Sequence, residues 1–173
     1  MIEVSTSSAF SCKAEASDGG SAWGEFHLGY TFDNQSGAVL DGAVKLRIKA
    51  NQKRTLEHAP DETVADSSVA SISLKFFIKD TNGQTIRGED LLVGSDQKGP
   101  ATASLAQDLA FDARFEPDRG YYLVLSGRAE TQTGKAHTAS AALEISGLVM
   151  EITWKPAADA KAGPRAAATE TER

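Results

Sequence analysis

Few side chains in this chain of 173 residues are candidates for acid–base or nucleophilic chemistry, since it contains three histidines and a single cysteine. The histidines are His27, His58 and His137. No two of them have the three- or four-residue spacing that lets one segment bind zinc, so such a site is excluded. His27 falls on the polar side of an alternating segment and His137 opens a predicted strand after a turn, so we expect both to be solvated. Cys12 has no cysteine partner and lies in an apolar alternation, so we expect a small buried hydrophobic residue.

Sequence motifs of catalysis are absent as well. The chain has no G-x-S-x-G segment around a nucleophilic serine, no G-x-x-x-x-G-K-[ST] phosphate loop and no G-x-G-x-x-G dinucleotide turn. We therefore expect neither enzymatic activity nor a bound cofactor or metal. A small β-fold enzyme with a site assembled from several loops stays a minor alternative.

Charge and hydropathy limit the classes of partner. The formal net charge of −6 and the lack of a basic run argue against nucleic acid or an anionic membrane as the main partner. The longest apolar runs are about five residues, whereas a membrane-spanning helix needs about 20. The first residues carry neither a basic nor an apolar leader segment. This favours a cytoplasmic protein and leaves a mature exported domain as the alternative.

Alternation of apolar and polar residues is the dominant pattern along the chain. It is clearest in the segments 24–33, 43–49, 71–79 and 107–115. Further runs that read as strands occupy residues 10–15, 84–93, 121–130, 137–146 and 149–154. Such alternation is typical of strands that are buried on one face. The sequence therefore predicts an all-β fold, an antiparallel β-sandwich of about eight or nine strands with immunoglobulin-like or jelly-roll-like topology.

Two turns and a tail complete the predicted domain organisation. The dipeptide Asn82-Gly83 lies between two alternating runs and predicts a tight type I′ hairpin. Residues 131–135 predict a longer hairpin in which Gly134 takes the left-handed conformation. Residues 156–173 are rich in alanine and contain no large apolar residue, so we expect a disordered tail after a single domain over residues 1–155.

One corner resembles a feature of immunoglobulin domains. Residues 118–124 read D-x-G-x-Y-x-V and are similar to the D-x-G-x-Y-x-C run of that family, with valine in place of cysteine. In that family the tyrosine hydroxyl bonds the backbone upstream of strand F. The resemblance implies a tyrosine corner at Tyr122, followed by a hairpin between strands F and G. Tyr121 is the alternative, because it shares a face with Leu123 and Leu125.

A charged segment at residues 51–68 interrupts the strand pattern. It joins a strand predicted to end near Ala50 to one predicted to begin near Val69, and seven of its eighteen side chains are ionisable. Long loops at the end of a rigid sandwich often carry binding residues. Within this loop we predict Arg54, Glu57 and His58 as the binding residues.

Cations are concentrated on one side of the strand that precedes this loop. The stripe consists of Lys45, Arg47, Lys49, Lys53 and Arg54. If this strand pairs with the segment 71–79, Lys75 and Lys79 extend the stripe into a basic face that suits an acidic partner.

These features predict a non-enzymatic protein-interaction or assembly module that binds a protein partner or another copy of itself. The alternative function is that of a lectin-like domain for carbohydrate or another ligand, with or without calcium bound by loop carboxylates. In that alternative Trp23, Tyr30 or Phe77 stacks on a sugar ring.

Overall fold

Nine β-strands make up the regular structure of the computed structural model, which describes residues 2–6, 9–57, 68–96, 101–135 and 137–158. The strands are β1 (Ile2–Thr6), β2 (Phe10–Ser17), β3 (Ser21–Asn34), β4 (Leu40–Glu57), β5 (Val69–Asp80), β6 (Thr85–Asp96), β7 (Ala101–Phe115), β8 (Arg119–Gln132) and β9 (Thr138–Pro156). None of these ranges contains a helix with the length and apolar character needed to cross a membrane. The predicted all-β class is confirmed.

The strands form two antiparallel sheets packed face to face. Sheet A has the order β1-β9-β4-β7, and β2 pairs with the part of β9 that β1 leaves uncovered, so β1 and β2 share one edge. Sheet B has the order β3-β8-β5-β6. The pairings β2 with β9, β3 with β8, β4 with β7 and β5 with β6 are nested one inside the next. This nesting is the topology of a jelly roll, one of the two sandwich types that the sequence predicts.

The connection after β8 departs from the prediction. β8 belongs to sheet B and β9 to sheet A, so the chain passes from one sheet to the other after Gln132. The predicted F–G hairpin is therefore wrong, and the immunoglobulin-like topology loses its support. Gly134 does not have a positive φ. Its N–H donates instead to Ser68 Oγ at 3.0 Å, a contact that joins this crossing to the start of β5.

The inward-facing positions of the central strands form the core. Val44, Leu46 and Ile48 of β4 are at most 2% exposed, as predicted from their alternation. The inward side chains of β5 are equally buried, namely Ile72, Leu74, Phe76 and Ile78. Burial of such side chains is the main favourable term in folding. The sequence alternation thus identifies the centre of the sandwich correctly.

β4 and β9 differ most informatively from the predicted strands. β4 continues to Glu57, whereas the sequence predicts an end near Ala50. The prediction is wrong because the inward positions of this part of β4 are the polar residues Gln52 and Arg54, which conceal the alternation. β9 is one strand where two were predicted. A register shift opposite Lys49 and Ala50 inserts Ser146 as an extra residue, and the alternation changes phase at that bulge.

The hairpin between β5 and β6 is confirmed, but its turn type is not. Gly83 has a φ of 82°, whereas Asn82 has no positive φ, so type I′ is wrong. The N–H of Gly83 donates to the Asp80 carbonyl at 2.9 Å. Asp80 Oδ1 accepts from the N–H groups of Asn82 (3.0 Å) and Gln84 (2.8 Å). This carboxylate holds a three-residue loop with glycine at its left-handed last position.

The C-terminal boundary extends beyond the predicted end of the domain. Pro156 is the last residue of β9 and pairs with Leu40. Ala157 is buried, and its N–H donates to the Val39 carbonyl at 2.9 Å. Residues 159–173 lie outside the described part of the chain, so the disordered tail stays a prediction for them.

A tyrosine corner closes the loop between β7 and β8, and the tyrosine is Tyr121. Its hydroxyl accepts from the Glu116 N–H at 2.5 Å and donates to the Glu116 carbonyl at 3.3 Å. Tyr121 is 1% exposed, whereas Tyr122 is 41% exposed and points away from the core. Asn34 Nδ2 supports the same corner by donating to the carbonyls of Phe115 and Glu116, each at 3.0 Å. Burial raises the pKa of the Tyr121 phenol above its ordinary value.

We expect Tyr121→Phe to lower the free energy of unfolding by about 1–3 kcal/mol, because the part-buried N–H of Glu116 loses its acceptor. Tyr122→Phe is the matched control and should be neutral. Urea denaturation of both variants measures the difference. Equal stability of the two variants would show that the corner does not depend on the hydroxyl of Tyr121.

The edges formed by β2 and β3 approach each other closely at Gly24. A Cβ at this position would lie 2.6 Å from the carbonyl oxygen of Lys13 and 3.3 Å from its nitrogen. Both are backbone atoms of β2, so a side chain would have to push the two strands apart. Gly29 lies on the same strand, yet the nearest atom to its Cβ would be 3.8 Å away. Glycine is therefore required at the first position and not at the second.

Gly24→Ala should cost about 1–3 kcal/mol of stability through overpacking against the β2 backbone. Gly29→Ala should be neutral or stabilise by about 0.4–1 kcal/mol, since it reduces the entropy of the unfolded chain without a clash. Thermal and urea denaturation distinguish the two. A neutral Gly24→Ala variant would contradict the close approach of β2 and β3.

Candidate functional site

Two of the three predicted binding residues, Arg54 and Glu57, do not lie on one surface. Arg54 and Glu57 both belong to β4, so the prediction of a loop for residues 51–57 is wrong. Their side chains leave opposite faces of the strand. Arg54 points into the sandwich and is 7% exposed, whereas Glu57 is exposed, with Thr138 Oγ1 at 3.4 Å from its carboxylate. His58 lies outside the described residues, and its role stays a prediction.

Arg54 and Gln52 form a polar layer between the sheets at the end of β4. Both are at least nine-tenths buried and face Gly94 of β6. A Cβ on Gly94 would lie 3.0 Å from Gln52 Oε1 and 3.2 Å from Arg54 Cζ, so glycine makes room for these long side chains. Arg54 therefore acts in packing between the sheets, and the stripe of cations on the outer surface ends at Lys53.

A buried contact between a serine and a histidine lies just before the first residues of β5 and β9. Ser68 Oγ and His137 Nδ1 are 3.0 Å apart, and the Gly134 N–H donates to the same Oγ at 3.0 Å. Ser68 is 3% and His137 2% exposed, so the expectation of a solvated His137 is wrong. A serine that is this buried holds two chain segments together and presents no nucleophile to solvent. The polar side chain of His27, by contrast, is exposed as predicted.

Within the described ranges no group of three or more His, Cys, Asp or Glu side chains is arranged to hold a metal ion. The predicted burial of Cys12 is confirmed at 7% exposure. That burial raises the pKa of its thiol above the ordinary value and keeps it in the protonated form, which is unreactive.

The outer face of sheet A carries the cationic stripe Lys45, Arg47, Lys49 and Lys53 along β4. Small residues flank this stripe on β7 and β9, so shallow grooves run between the long side chains. Glu151 of β9 forms an ion pair with Arg47. Lys75 and Lys79 do not extend this stripe, because β5 belongs to the other sheet. The predicted combined basic face is therefore wrong.

The outer face of sheet B has a different character, since it exposes large apolar side chains. Phe77 of β5 lies opposite Val124 of β8, and Tyr122 occupies the next outward position on β8. We call these three residues the apolar patch. Tyr122 is 41% exposed, and the other two are half-buried. Lys79 places its Nζ 5.0 Å from the centre of the Phe77 ring, which adds a positive charge at the rim of the patch.

A separate aromatic side chain, Trp23, lies near the other end of the same face and is 63% exposed. The Arg128 guanidinium is 5.7 Å from the centre of its ring. Arg128 also forms an ion pair with Glu130 at 3.2 Å, and Glu130 lies directly opposite Trp23 in the register. An exposed indole is thus surrounded by hydrogen-bonding groups on a rigid sheet.

Comparisons with known proteins identify no family. No family model matches the chain, and no curated protein matches it in sequence. The VP2 subviral particle of infectious bursal disease virus is similar at 8% identity and a TM-score of 0.30, over 92% of this chain and 37% of that one. The Gx strain of the same virus gives 6% identity and a TM-score of 0.27, over 88% and 41%. The chain therefore spans less than half the length of these proteins.

Proposed function

We propose that this chain is a non-enzymatic protein-interaction module that binds its partner through the apolar patch of Phe77, Tyr122 and Val124. The observation that carries the proposal is the contiguous position of the exposed Tyr122 and the half-buried Phe77 and Val124 on the outer face of sheet B. Aromatic residues are enriched at protein interfaces, and contiguous exposed apolar surface marks sites of interaction.

The apolar patch is held in place before any partner arrives. The residues of β5 and β8 that alternate with it point inward and are at most 2% exposed, as Phe76, Leu123 and Leu125 show. Both strands are paired on each side within sheet B. Binding at the patch therefore costs little backbone ordering.

Charges around the apolar patch indicate what the partner offers. Lys75 forms an ion pair with Asp90 at 3.1 Å. Lys79 instead lies over the Phe77 ring and contributes a positive charge at the rim. A partner surface with an apolar centre and a carboxylate at its edge matches this arrangement.

The test introduces a photo-crosslinking phenylalanine analogue at Tyr122, with Thr153 on the outer face of sheet A as the matched exposed control. In cells of the source organism we expect a defined adduct at Tyr122 and none at Thr153. The purified partner should then bind the wild-type protein and lose at least tenfold in affinity to Tyr122→Glu, because burial of an aromatic side chain is worth about 1.5–3 kcal/mol. Adducts at both positions, or an unchanged Kd, would contradict the proposal.

Carbohydrate binding at Trp23 is the second candidate function, and the exposed indole is the observation that favours it. A sugar ring would stack on the free side of the indole while Arg128 and Glu130 bond its hydroxyl groups. This site is separate from the apolar patch, so both functions are compatible with one chain.

A glycan array tests this candidate directly. We expect binding to a defined glycan that Trp23→Ala abolishes and Tyr122→Ala leaves unchanged. An array without signal, or binding that survives the loss of Trp23, would reject it.

A further inference from the structure

One edge of the sandwich is left open within the described part of the chain. β7 pairs with β4 over its full fifteen residues without a register shift, and it is the last strand of sheet A. Its sequence contains no proline, lysine or glycine. Edge strands normally carry such residues or bulges, because their unpaired N–H and C=O groups otherwise recruit another strand. β7 thus offers a long, regular template for pairing.

The edge of sheet B beside it is protected. β6 has two register shifts against β5, so its backbone is irregular. Arg87 and Glu89 form an ion pair on this strand, at positions that pair with the inward residues Ile78 and Phe76. Charges on the inward side of an edge strand oppose pairing with another chain. Bulges and inward charges of this kind are missing from β7 at residues 101–106.

The inward side chains in the middle of β7 are incompletely buried. The inward residues Leu105, Gln107 and Leu109 are only half-buried, although their partners on β4 are at most 2% exposed. β7 is the last strand of sheet A, so no strand of this sheet flanks these residues on the side away from β4. A further strand would complete their burial and satisfy the free backbone groups together.

We propose that β7 pairs antiparallel with β7 of a second copy of this chain, about a two-fold axis at Gln107, and joins the two A sheets into one. In this register the two Gln107 amides meet at the axis and can bond each other. Leu105 lies opposite the partner's Leu109, and the reciprocal contact occurs on the other side of the axis. Apolar residues therefore meet apolar residues along the inward face.

The outward face is also self-complementary in this register. Asp108 lies opposite the partner's Ala106, and Asp112 lies opposite the partner's Thr102. Each carboxylate thus meets a small neutral residue. No acidic side chain of this face lies opposite another, which satisfies the charge rule for cross-strand pairs.

Neighbouring registers are less favourable. One that is centred on Asp108 places two carboxylates opposite each other at the axis. One that is centred on Ala106 or Leu109 sets the Gln107 amide against an apolar side chain on the inward face. The register about Gln107 avoids both costs.

This contact uses a surface different from the apolar patch and from Trp23, so it can fail while the proposed function holds, and the reverse is also true. It assigns the second copy of the chain as the partner of β7. The isologous arrangement closes on itself and produces a dimer instead of a fibre.

The test is sedimentation equilibrium of the full chain from about 1 to 100 µM, with two matched variants. Ala106→Asp sets a new carboxylate opposite the partner's Asp108 and should weaken the dimer about tenfold, since the clash occurs twice. Ala110→Asp is the control, because it faces the partner's Ser104 and should leave the dimer unchanged. Both alanines are exposed and lie beside a lysine of β4, Lys49 and Lys45 respectively, so both variants should fold equally well.

A charge-swap experiment tests the axis itself. Gln107→Lys and Gln107→Glu should each weaken their homodimers, and an equimolar mixture should form the heterodimer, which native mass spectrometry detects. A monomeric wild-type protein at 100 µM would overturn the proposal. Equal effects of the two alanine variants, or a mixture without heterodimer, would overturn it as well.

Discussion

The backbone ladder between β4 and β9 is the constraint on which the rest of the sandwich depends. It runs from Leu40 opposite Pro156 to Glu57 opposite Thr138, which is the whole length of sheet A. Apart from Gln52 and Arg54, the buried side chains that the two strands present inward are apolar, so a single pairing organises half of the core. A slip by one residue would turn every one of those side chains towards solvent. The bulge at Ser146 is accommodated within this ladder and keeps the apolar face inward on both sides of it.

The period-two pattern was sufficient to predict the strands and most of the core, because side-chain burial on one face leaves a direct trace in the sequence. The pattern failed where a buried side chain is polar. Gln52 and Arg54 are polar and inward-facing, so the end of β4 looked like a loop. His137 is buried by contacts that belong to three segments of the chain, and no local pattern records them. The tyrosine corner was predicted, but only the packing of Tyr121 against Phe115 and Phe32 decides between adjacent tyrosines.

Membership of a sheet was the part that the sequence could not provide. The alternation of β5 is as clear as that of β4, yet nothing in either strand says that they lie in different layers. For this reason the sequence predicts one basic face from the cations of the two strands, and it predicts Trp23 and Phe77 as stacking residues without placing them on one sheet. The candidate surfaces arise from topology: sheet A faces outward with small and charged residues, whereas sheet B exposes Trp23, Tyr122 and Val93.

The nested strand pairing also has a consequence for how the chain reaches this structure. Within the described residues, β5 and β6 are the one pair of consecutive strands that are hydrogen-bonded neighbours, and the loop held by Asp80 joins them. Each further pairing spans a longer loop, up to Ile2 with Ile152. Loop closure opposes contacts of such long range, so folding should be slow and should proceed outward from the central hairpin. During synthesis on the ribosome, the first strands cannot pair until the last strands have been made. Their apolar faces stay exposed to solvent until then.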